Sequence, residues 1–458
     1  MYIQQLYTNC LAEAAYYIES EGEAAIIDPL RETEPYIDLA AERNARIKYV
    51  FETHFHADFV SGHIDLSRKT NAPIIYGPEA NTDYPVYQAK DGEEFKLGKL
   101  RIRVLHTPGH TPESSCFLLF DEQGKPHAIF TGDTLFVGDV GRPDLLDGVM
   151  SSETLASMMF DSLSKKIKTL PDNVIVYPAH GPGSACGKNI GKETYSTIGE
   201  QKKFNYALQE MTRAEFVAKI TDGILPPPPY FFEDSRINKT GYGPIEDVIR
   251  ANSRSLSPGE FKNRVEAGAI LLDTRPADDF EKGYIPGSIN IGLNGQFAVW
   301  VGTLIDIRKR MVLVTPPGKE SETVLRLARV GYENVDGYLN GGVNSFPVKL
   351  ETVKSVFANQ IKSEMVKAAK ILDVRKPGEW KAGHLKEAAF LPLDSFPECL
   401  KDLNRENLYL VHCGGGYRSM TAISIMKAYG FENLVNVYEG YGAMERLGLD
   451  IVSEEVAV

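Results

Sequence analysis

No stretch of this sequence approaches the roughly 18–20 apolar residues that a membrane-crossing helix needs, so no spanning segment is expected. The first residues, Met1-Tyr2-Ile3-Gln4-Gln5, hold neither a basic region nor an apolar core, and a signal peptide is not expected either. Positive charge is scarce: 50 lysines and arginines face 62 aspartates and glutamates, a net charge of −12. That balance argues against nucleic acid or an anionic membrane as the main partner. Cysteine is scarce as well. The five (Cys10, Cys116, Cys186, Cys399 and Cys413) are odd in number and widely scattered, which excludes a disulfide framework. A reducing cytoplasm is the expected compartment, and a cysteine that matters should matter for its thiol. Low-complexity tracts are missing too. What remains, 458 residues of which 43% are hydrophobic and 24% charged, suits a folded chain of two to four domains.

The first 220 or so residues alternate short apolar strands with helical patterns. Ala24 to Asp28, Leu100 to Leu105, Cys116 to Phe120, Ala128 to Phe130 and Val174 to Tyr177 read as strands. Ser61 to Lys69, Ser152 to Leu170 and Thr194 to Leu208 read as helices, the second opening on serines suited to cap it. Four consecutive prolines between Leu225 and Tyr230 then predict a stiff extended tail or linker. Beyond it the chain repeats itself. Leu271-Leu272-Asp273-Thr274-Arg275 matches Ile371-Leu372-Asp373-Val374-Arg375, and Gly331-Tyr332-Glu333-Asn334-Val335 matches Gly430-Phe431-Glu432-Asn433-Leu434. A period of about one hundred residues is domain-sized, so this is a tandem duplication of an α/β unit with a parallel sheet. The expected domains are 1–235, 250–350 and 351–458.

At His54-Phe55-His56-Ala57-Asp58-Phe59, directly after the strand-like Tyr49-Val50-Phe51, two imidazoles and a carboxylate fall within five residues. Imidazole suits zinc and iron, and an added carboxylate favours a hard, divalent, open-sited ion. Three more segments follow strands and supply His110 (in His106-Thr107-Pro108-Gly109-His110), Asp133 (in Thr131-Gly132-Asp133) and His180 (in Pro178-Ala179-His180-Gly181). Strand-end loops on a rigid sheet are a usual location for ligands.

In this order, the four pieces resemble the metallo-β-lactamase superfamily. The resemblance implies an αββα sandwich with the metal at one edge of the two sheets. Dinuclear thioester hydrolases of that superfamily carry a histidine where this chain has Phe59, which cannot ligate, so one metal is expected. His63, four residues on, would share a helical face with that position and is a candidate to compensate. The closer resemblance is to the persulfide dioxygenases. It implies one Fe(II) per chain held by His54, His110 and Asp133, with open positions for O2 and substrate. His56, Asp58 and His180 would then orient ligands, tune their basicity or relay protons, Asp58 being also a catalytic candidate. Zinc is the alternative ion, whether resident or acquired on purification. Gly141-Arg142-Pro143-Asp144 resembles the loop near the iron in that family. There Arg142 would anchor an anionic substrate, unless it is a solvated arginine on a surface turn. Cys186, flanked by small residues and Lys188, is either a low-pKa thiol that exchanges sulfur or a small packing residue.

Near the C-terminus, Leu410-Val411-His412 runs straight into Cys413-Gly414-Gly415-Gly416-Tyr417-Arg418, with a helix expected from about Arg418. Glycines let successive backbone N–H groups turn inward as an anion-binding nest, and a helix N-terminus adds positive potential. Both stabilise a thiolate or a bound persulfide. This six-residue loop resembles that of a rhodanese, which implies Cys413 as nucleophile, Gly414 to Tyr417 as the persulfide-binding loop and Arg418 as a catalytic partner. The first copy has Pro316-Pro317-Gly318-Lys319-Glu320-Ser321 at the same place. With proline for the nucleophile and two N–H donors lost, it is expected to be inactive.

Taken whole, the chain resembles a fusion of persulfide dioxygenase, inactive rhodanese and active rhodanese. The resemblance implies a cytoplasmic, homo-oligomeric sulfide-detoxifying enzyme. Its partners would be low-molecular-weight thiol persulfides, O2, sulfite and thiosulfate, with the carrier thiol open among glutathione, coenzyme A, bacillithiol and others. The rival expectations are a zinc thioester hydrolase of the glyoxalase II kind fused to a sulfurtransferase, a non-catalytic sulfur carrier, and a scaffold.

Overall fold

Side chains alternate in direction along a strand, and in the N-terminal half this alternation sorts residues into layers. Along Glu13–Ser20, Ala14, Tyr16 and Ile18 enter one buried cluster while Ala15 and Tyr17 enter another. Along Ser115–Phe120, Phe117 and Leu119 join the first cluster, whereas Cys116, Leu118 and Phe120 join a third. The shared cluster is the seam between two sheets. Phe51 and Phe117 meet there with ring centroids 4.9 Å apart, as do Tyr16 and Phe130. The other two clusters pack on helices such as Glu34–Glu42 and His63–Thr70 on one side, and Ser152–Ser162 and Arg213–Thr221 on the other. The result is the αββα sandwich.

The computed structural model of the chain describes residues 1–146, 148–361 and 369–453. It divides into one unit of Met1–Asp247 with Ala328–Gly331, and a second of Val248–Leu327 with the chain from Tyr332 onward. In the first unit, one six-stranded sheet runs in the order Tyr2–Thr8, Glu13–Ser20, Glu23–Ile27, Arg46–Phe51, Ile74–Tyr76, Tyr87–Gln88. The other runs Ser196–Thr197, Ile175–Pro178, Pro126–Gly132, Ser115–Phe120, Leu100–His106, Glu94–Leu97. Strands Tyr2–Thr8 and Glu13–Ser20, an antiparallel pair in full register, were not among the sequence expectations.

Two predicted helices come out differently. The pattern from Ser152 is α-helical to Ser162, capped by Ser151 as expected, then loosens into one π turn over Leu163–Ile167. The stretch expected as a helix from Thr194 instead starts as a short strand, Ser196–Thr197, paired with Ile175 and Val176. Thr197 then turns the chain by accepting a hydrogen bond from the Glu200 backbone, so the helix opens only at Ile198. The proline-rich stretch after Leu225 lies outside helices and strands, but it does not end the packed region. Tyr230, Phe231, Asp234 and Asn238, on or beside the next helix, Phe231–Thr240, are buried.

The second unit contains two five-stranded, all-parallel sheets of the same order. The first is Ser255–Leu256, Val335–Leu339, Met311–Val314, Ile270–Asp273, Ile289–Asn290; the second is Lys354–Val356, Leu434–Val437, Tyr409–His412, Lys370–Asp373, Ala388–Phe390. The repeated Asp-x-Arg does one job in both. Arg275 grips Asp273 and donates to the Gly283 carbonyl, and Arg375 grips Asp373 and donates to the Gly383 carbonyl. No helix among the described residues is long and apolar enough to cross a membrane.

Candidate metal and thiol centres

Four strands of the sandwich end beside one another, at Phe51, His106, Gly132 and Pro178, and the loops they release carry the candidate ligands. His54, His110 and Asp133 are buried, and each offers a ligand atom within 4.8 Å of the other two. His110 Nε2 stands 3.4 Å and His54 Nε2 3.9 Å from Asp133 Oδ2.

Hydrogen bonds on the far side of each ring select its tautomer. His110 Nδ1 lies 2.7 Å from the Arg142 carbonyl, which only accepts, so Nδ1 carries the proton. His54 Nδ1 lies 2.9 Å from Thr53 Oγ1, whose own proton goes to Asp28 Oδ2, so Nδ1 is again the donor. Both rings therefore turn an Nε2 lone pair toward a carboxylate. Neither His110 Nε2 nor either oxygen of Asp133 has a hydrogen-bond partner among the described residues. Lone pairs converging in a buried space repel unless a cation or proton lies between them. The donor set fits a divalent metal ion. Burial, with His56, His110 and His180 around it, holds His54 well below the ordinary imidazole range, so its ring stays neutral as a ligand must.

The other predicted residues surround this trio. Burial works against a charge on His56, but Asp28 at 3.2 Å, with Glu52 and Asp58, raises its pKa to about 9. The carboxylates around His56 thus favour its protonated form. Phe59 is fully buried with its ring 4.3 Å from that of His56. His180 directs Nδ1 to the Ala12 carbonyl at 3.2 Å and Nε2 to Asp58 at 3.4 Å and Asp133 at 3.5 Å. His56, Asp58 and His180 form a second possible donor group beside the first.

Residues not foreseen in the sequence hold the loop in place. Asp28 accepts from both the Thr53 backbone and its hydroxyl, and so orients Thr53 against His54. Asn238, past the proline stretch, donates to the carbonyls of His56 and Phe59 and accepts from the Ser61 backbone. Asp28 closes a predicted strand and was open to suspicion on that ground. Nothing in the sequence marks Asn238.

The thiol centre uses backbone where the metal centre uses side chains. Cys413 leaves the strand Tyr409–His412 buried, and the Gly416 N–H donates to its Sγ at 3.1 Å. Gly416 caps the helix Tyr417–Ala428 at φ +96°, a conformation strained for any other residue, and this turns its N–H inward. Ser419 Oγ lies 3.7 Å from Sγ. Arg418 makes a two-pronged pair with Glu379 at 2.5 and 2.8 Å. Burial opposes the Arg418 charge, yet Glu379 and Cys413 outweigh it and raise its pKa, so a cation stays beside the sulfur. In the other copy Pro316 stands in the cysteine's place. There Glu320, at the position of Tyr417, brings its own carboxylate to the Gly318 N–H at 3.2 Å and the Thr315 hydroxyl at 3.4 Å. That loop supplies its own anion.

The sequence profile of the metallo-β-lactamase superfamily matches residues 8–180. A probable hydroxyacylglutathione hydrolase (glo2) of Schizosaccharomyces pombe strain 972 / ATCC 24843 is 30% identical over 205 residues, 40% of this chain and 75% of its own. The chain belongs to the metallo-β-lactamase superfamily. Its C-terminal half matches the rhodanese-like domain twice, over residues 257–347 and 356–445. Among solved structures, a metallo-β-lactamase from Staphylococcus aureus subsp. aureus COL is 33% identical, with a TM-score of 0.66 over 74% of this chain and 98% of its own. ETHE1 from Myxococcus xanthus is 30% identical over 52% of this chain and 98% of its own, with a TM-score of 0.46.

Three expectations at this superfamily site need correction. His63 is not in reach of the cluster: it faces Tyr84 at 2.7 Å and Glu52 at 3.6 Å, and so does not replace a ligand lost at Phe59. Cys186 does lie beside Asp133 and His180, but burial, followed by the Asp58 and Asp133 charges, pushes its thiol well up rather than down. Arg142 is neither solvated nor free to anchor an anion. Its guanidinium is spent on Asp144 and on the carbonyls of Ala185 and Leu225, while its own carbonyl fixes His110.

Proposed function

We propose that the N-terminal domain is a mononuclear non-haem iron persulfide dioxygenase and that the second rhodanese-like domain is its sulfurtransferase. Together they would oxidise low-molecular-weight thiol persulfides to sulfite and thiosulfate in sulfide detoxification. The observation that carries this reading is the convergence of two imidazoles and one carboxylate, all buried, with Phe59 rather than a ligand next to Asp58. Iron(II) held by His54, His110 and Asp133 would supply O2 activation and open positions for a persulfide. The chain's own part is to hold His54 through Thr53 and His110 through the Arg142 carbonyl. Asp58 and His180, 3.4 Å apart, are suited to hold a proton between Oδ2 and Nε2. Phe59, fully buried, packs its ring 4.3 Å from that of His56.

At the second centre the Cys413 thiolate attacks the outer sulfur of a persulfide. A new S–S bond forms, the old one breaks, and the carrier leaves as its thiolate. Sulfite attack on that bound sulfur gives thiosulfate and returns the Cys413 thiolate, stabilised by the Gly416 N–H and Arg418.

A rival reading, a zinc-dependent thioester hydrolase of the glyoxalase II kind fused to a sulfurtransferase, draws on the second donor group of His56, Asp58 and His180 and on the hydrolase name of the yeast relative. Anaerobic purification, metal quantitation and O2 uptake against a panel of thiol persulfides separate the two. One iron per chain with persulfide-dependent O2 uptake is expected. Two zinc ions and no uptake would sink the dioxygenase reading.

A further inference from the structure

The second rhodanese-like domain does not shape its reactive loop alone. Both copies lie in one unit, and Tyr417 crosses from one to the other: its hydroxyl donates to the Gly292 carbonyl at 2.8 Å. The ring rests on Gly295. A Cβ there would stand 2.5 Å from Cε2 and 2.6 Å from Cζ of Tyr417, closer than real atoms come, so the seat exists because residue 295 has no side chain. The seat is braced from behind. Arg326, on the helix after the Pro316 loop, donates to the Leu293 carbonyl at 2.6 Å and the Gly295 carbonyl at 3.3 Å. In addition, the Asn290 N–H donates to Ser424 Oγ, on the Tyr417 helix, at 2.8 Å. Tyr417 directly follows Gly416, whose N–H points at Sγ, so fixing the phenol fixes that donor.

A chain of polar groups also links the inactive copy to Cys413. Ser419 Oγ, 3.7 Å from Sγ, lies 2.7 Å from Asn436 Oδ1; Asn436 Nδ2 donates to Ser355 Oγ at 3.1 Å; and Ser355 donates to the Glu281 carboxylate. Glu281 belongs to the inactive copy, at the end of the helix Ala277–Phe280. A carboxylate only accepts, so it compels Ser355 to donate, which turns the Asn436 amide so that its oxygen faces Ser419. The orientation of a group touching the sulfur is thus set one domain away. Asp278, close by, accepts from Tyr438 at 3.1 Å.

We propose that the first rhodanese-like domain, which has no thiol at its own loop, is the positioning element of the second. The Gly292–Gly295 seat for Tyr417 holds the Gly416 N–H on Cys413, and the Glu281–Ser355–Asn436 chain takes the Ser419 proton, so that the Ser419 oxygen faces the Cys413 thiol as an acceptor. The proposal rests on Cys413 being the sulfur acceptor. The test uses the full-length protein with Gly295→Ala, Tyr417→Phe and Glu281→Gln. It reads kcat and KM for sulfur transfer from thiosulfate, and the pH profile of Cys413 alkylation by iodoacetamide, followed at the Cys413 peptide by mass spectrometry.

Gly295→Ala should lower kcat about tenfold with little change in KM and move the alkylation midpoint by about one pH unit, while persulfide-dependent O2 uptake is unchanged. Tyr417→Phe should lower kcat about threefold and move the midpoint by about half a pH unit in the direction of Gly295→Ala, and Glu281→Gln should change both by a similar amount. If Gly295→Ala fails to fold, the two milder variants decide. Alkylation profiles and kcat that overlie the wild type in every folded variant overturn the proposal and leave the interface as packing. Sulfur transfer persisting in Cys413→Ser would overturn the acceptor reading instead, because the alkylation profile reports loop position whether or not the cysteine turns over.

Discussion

The metal centre and the thiol centre start from the same device, a strand that ends in a buried loop, and finish with opposite polarity. At His54, His110 and Asp133 the chain points lone pairs inward and gives their far sides partners, leaving a hole that suits a cation. At Cys413 it points a backbone N–H and a guanidinium at one sulfur, leaving a hole that suits an anion. The difference explains why their supports differ. Imidazoles must be oriented by other side chains and carbonyls, so the metal loop depends on Asp28, Thr53, Arg142 and Asn238. A nest of N–H groups depends on backbone torsion, hence on glycine and on whatever seats the helix that follows.

If the two centres are chemically separate, breaking one should spare the other. Cys413→Ser should reduce sulfur transfer by at least about a thousandfold in a thiosulfate assay while O2 uptake stays as in the wild type. Asp133→Ala should do the converse. Metal bound per chain, measured by elemental analysis, should fall to near zero and O2 uptake by at least about a hundredfold, with sulfur transfer intact. A subtler test of the side-chain support is Asp28→Asn, which keeps the shape but weakens the grip on Thr53 and removes a charge from His56. Metal affinity by chelator competition should drop about 10–100-fold, and an unchanged affinity would mean the strand end alone orients His54.

The smallest effect belongs to the Arg418–Glu379 pair. Burial favours the neutral acid, but Arg418 wins and holds the Glu379 pKa below the ordinary glutamate range. A lowered folded-state pKa stabilises the protein above the unfolded value and loses that contribution as pH falls through the lowered one. Thermal melts of wild type and Glu379→Gln should therefore differ at neutral pH and converge in acid. The gap should be modest, since Glu379 is half-exposed.

Much of this molecule could be read in one dimension. The spacing of His54, His110, Asp133 and His180 after apolar runs, and the Cys413 loop after Leu410-Val411-His412, are local patterns, and strand-end loops bring such residues together with little ambiguity. The hundred-residue repeat likewise carried its Asp-x-Arg clamp into both sheets. Local pattern says less where a residue's surroundings come from distant segments. Arg142 was open as an anion anchor because two of its hydrogen-bond acceptors, the carbonyls of Ala185 and Leu225, lie 43 and 83 residues away, although its neutralising partner Asp144 stands in the same motif. Cys186 stood open between an acidic thiol and a packing residue, because a flanking lysine is visible in sequence whereas its burial against Asp58 and Asp133 is not.

By itself the sequence determined which strand-end loops carry the imidazoles, the carboxylate and the thiol, because strand patterning and loop chemistry act over a few residues, while the layering was legible only through the family resemblance. Tertiary structure alone decided which atoms of those residues are free. The proton on His110 sits on Nδ1 because the Arg142 carbonyl is there, the protonated form of His56 is favoured because Asp28, after the strand Glu23–Ile27, lies beside it, and Tyr417 is held by a glycine in the copy that has no thiol. Protonation, charge and orientation depend on electrostatic and steric neighbours, and the fold, not the chain order, chooses neighbours.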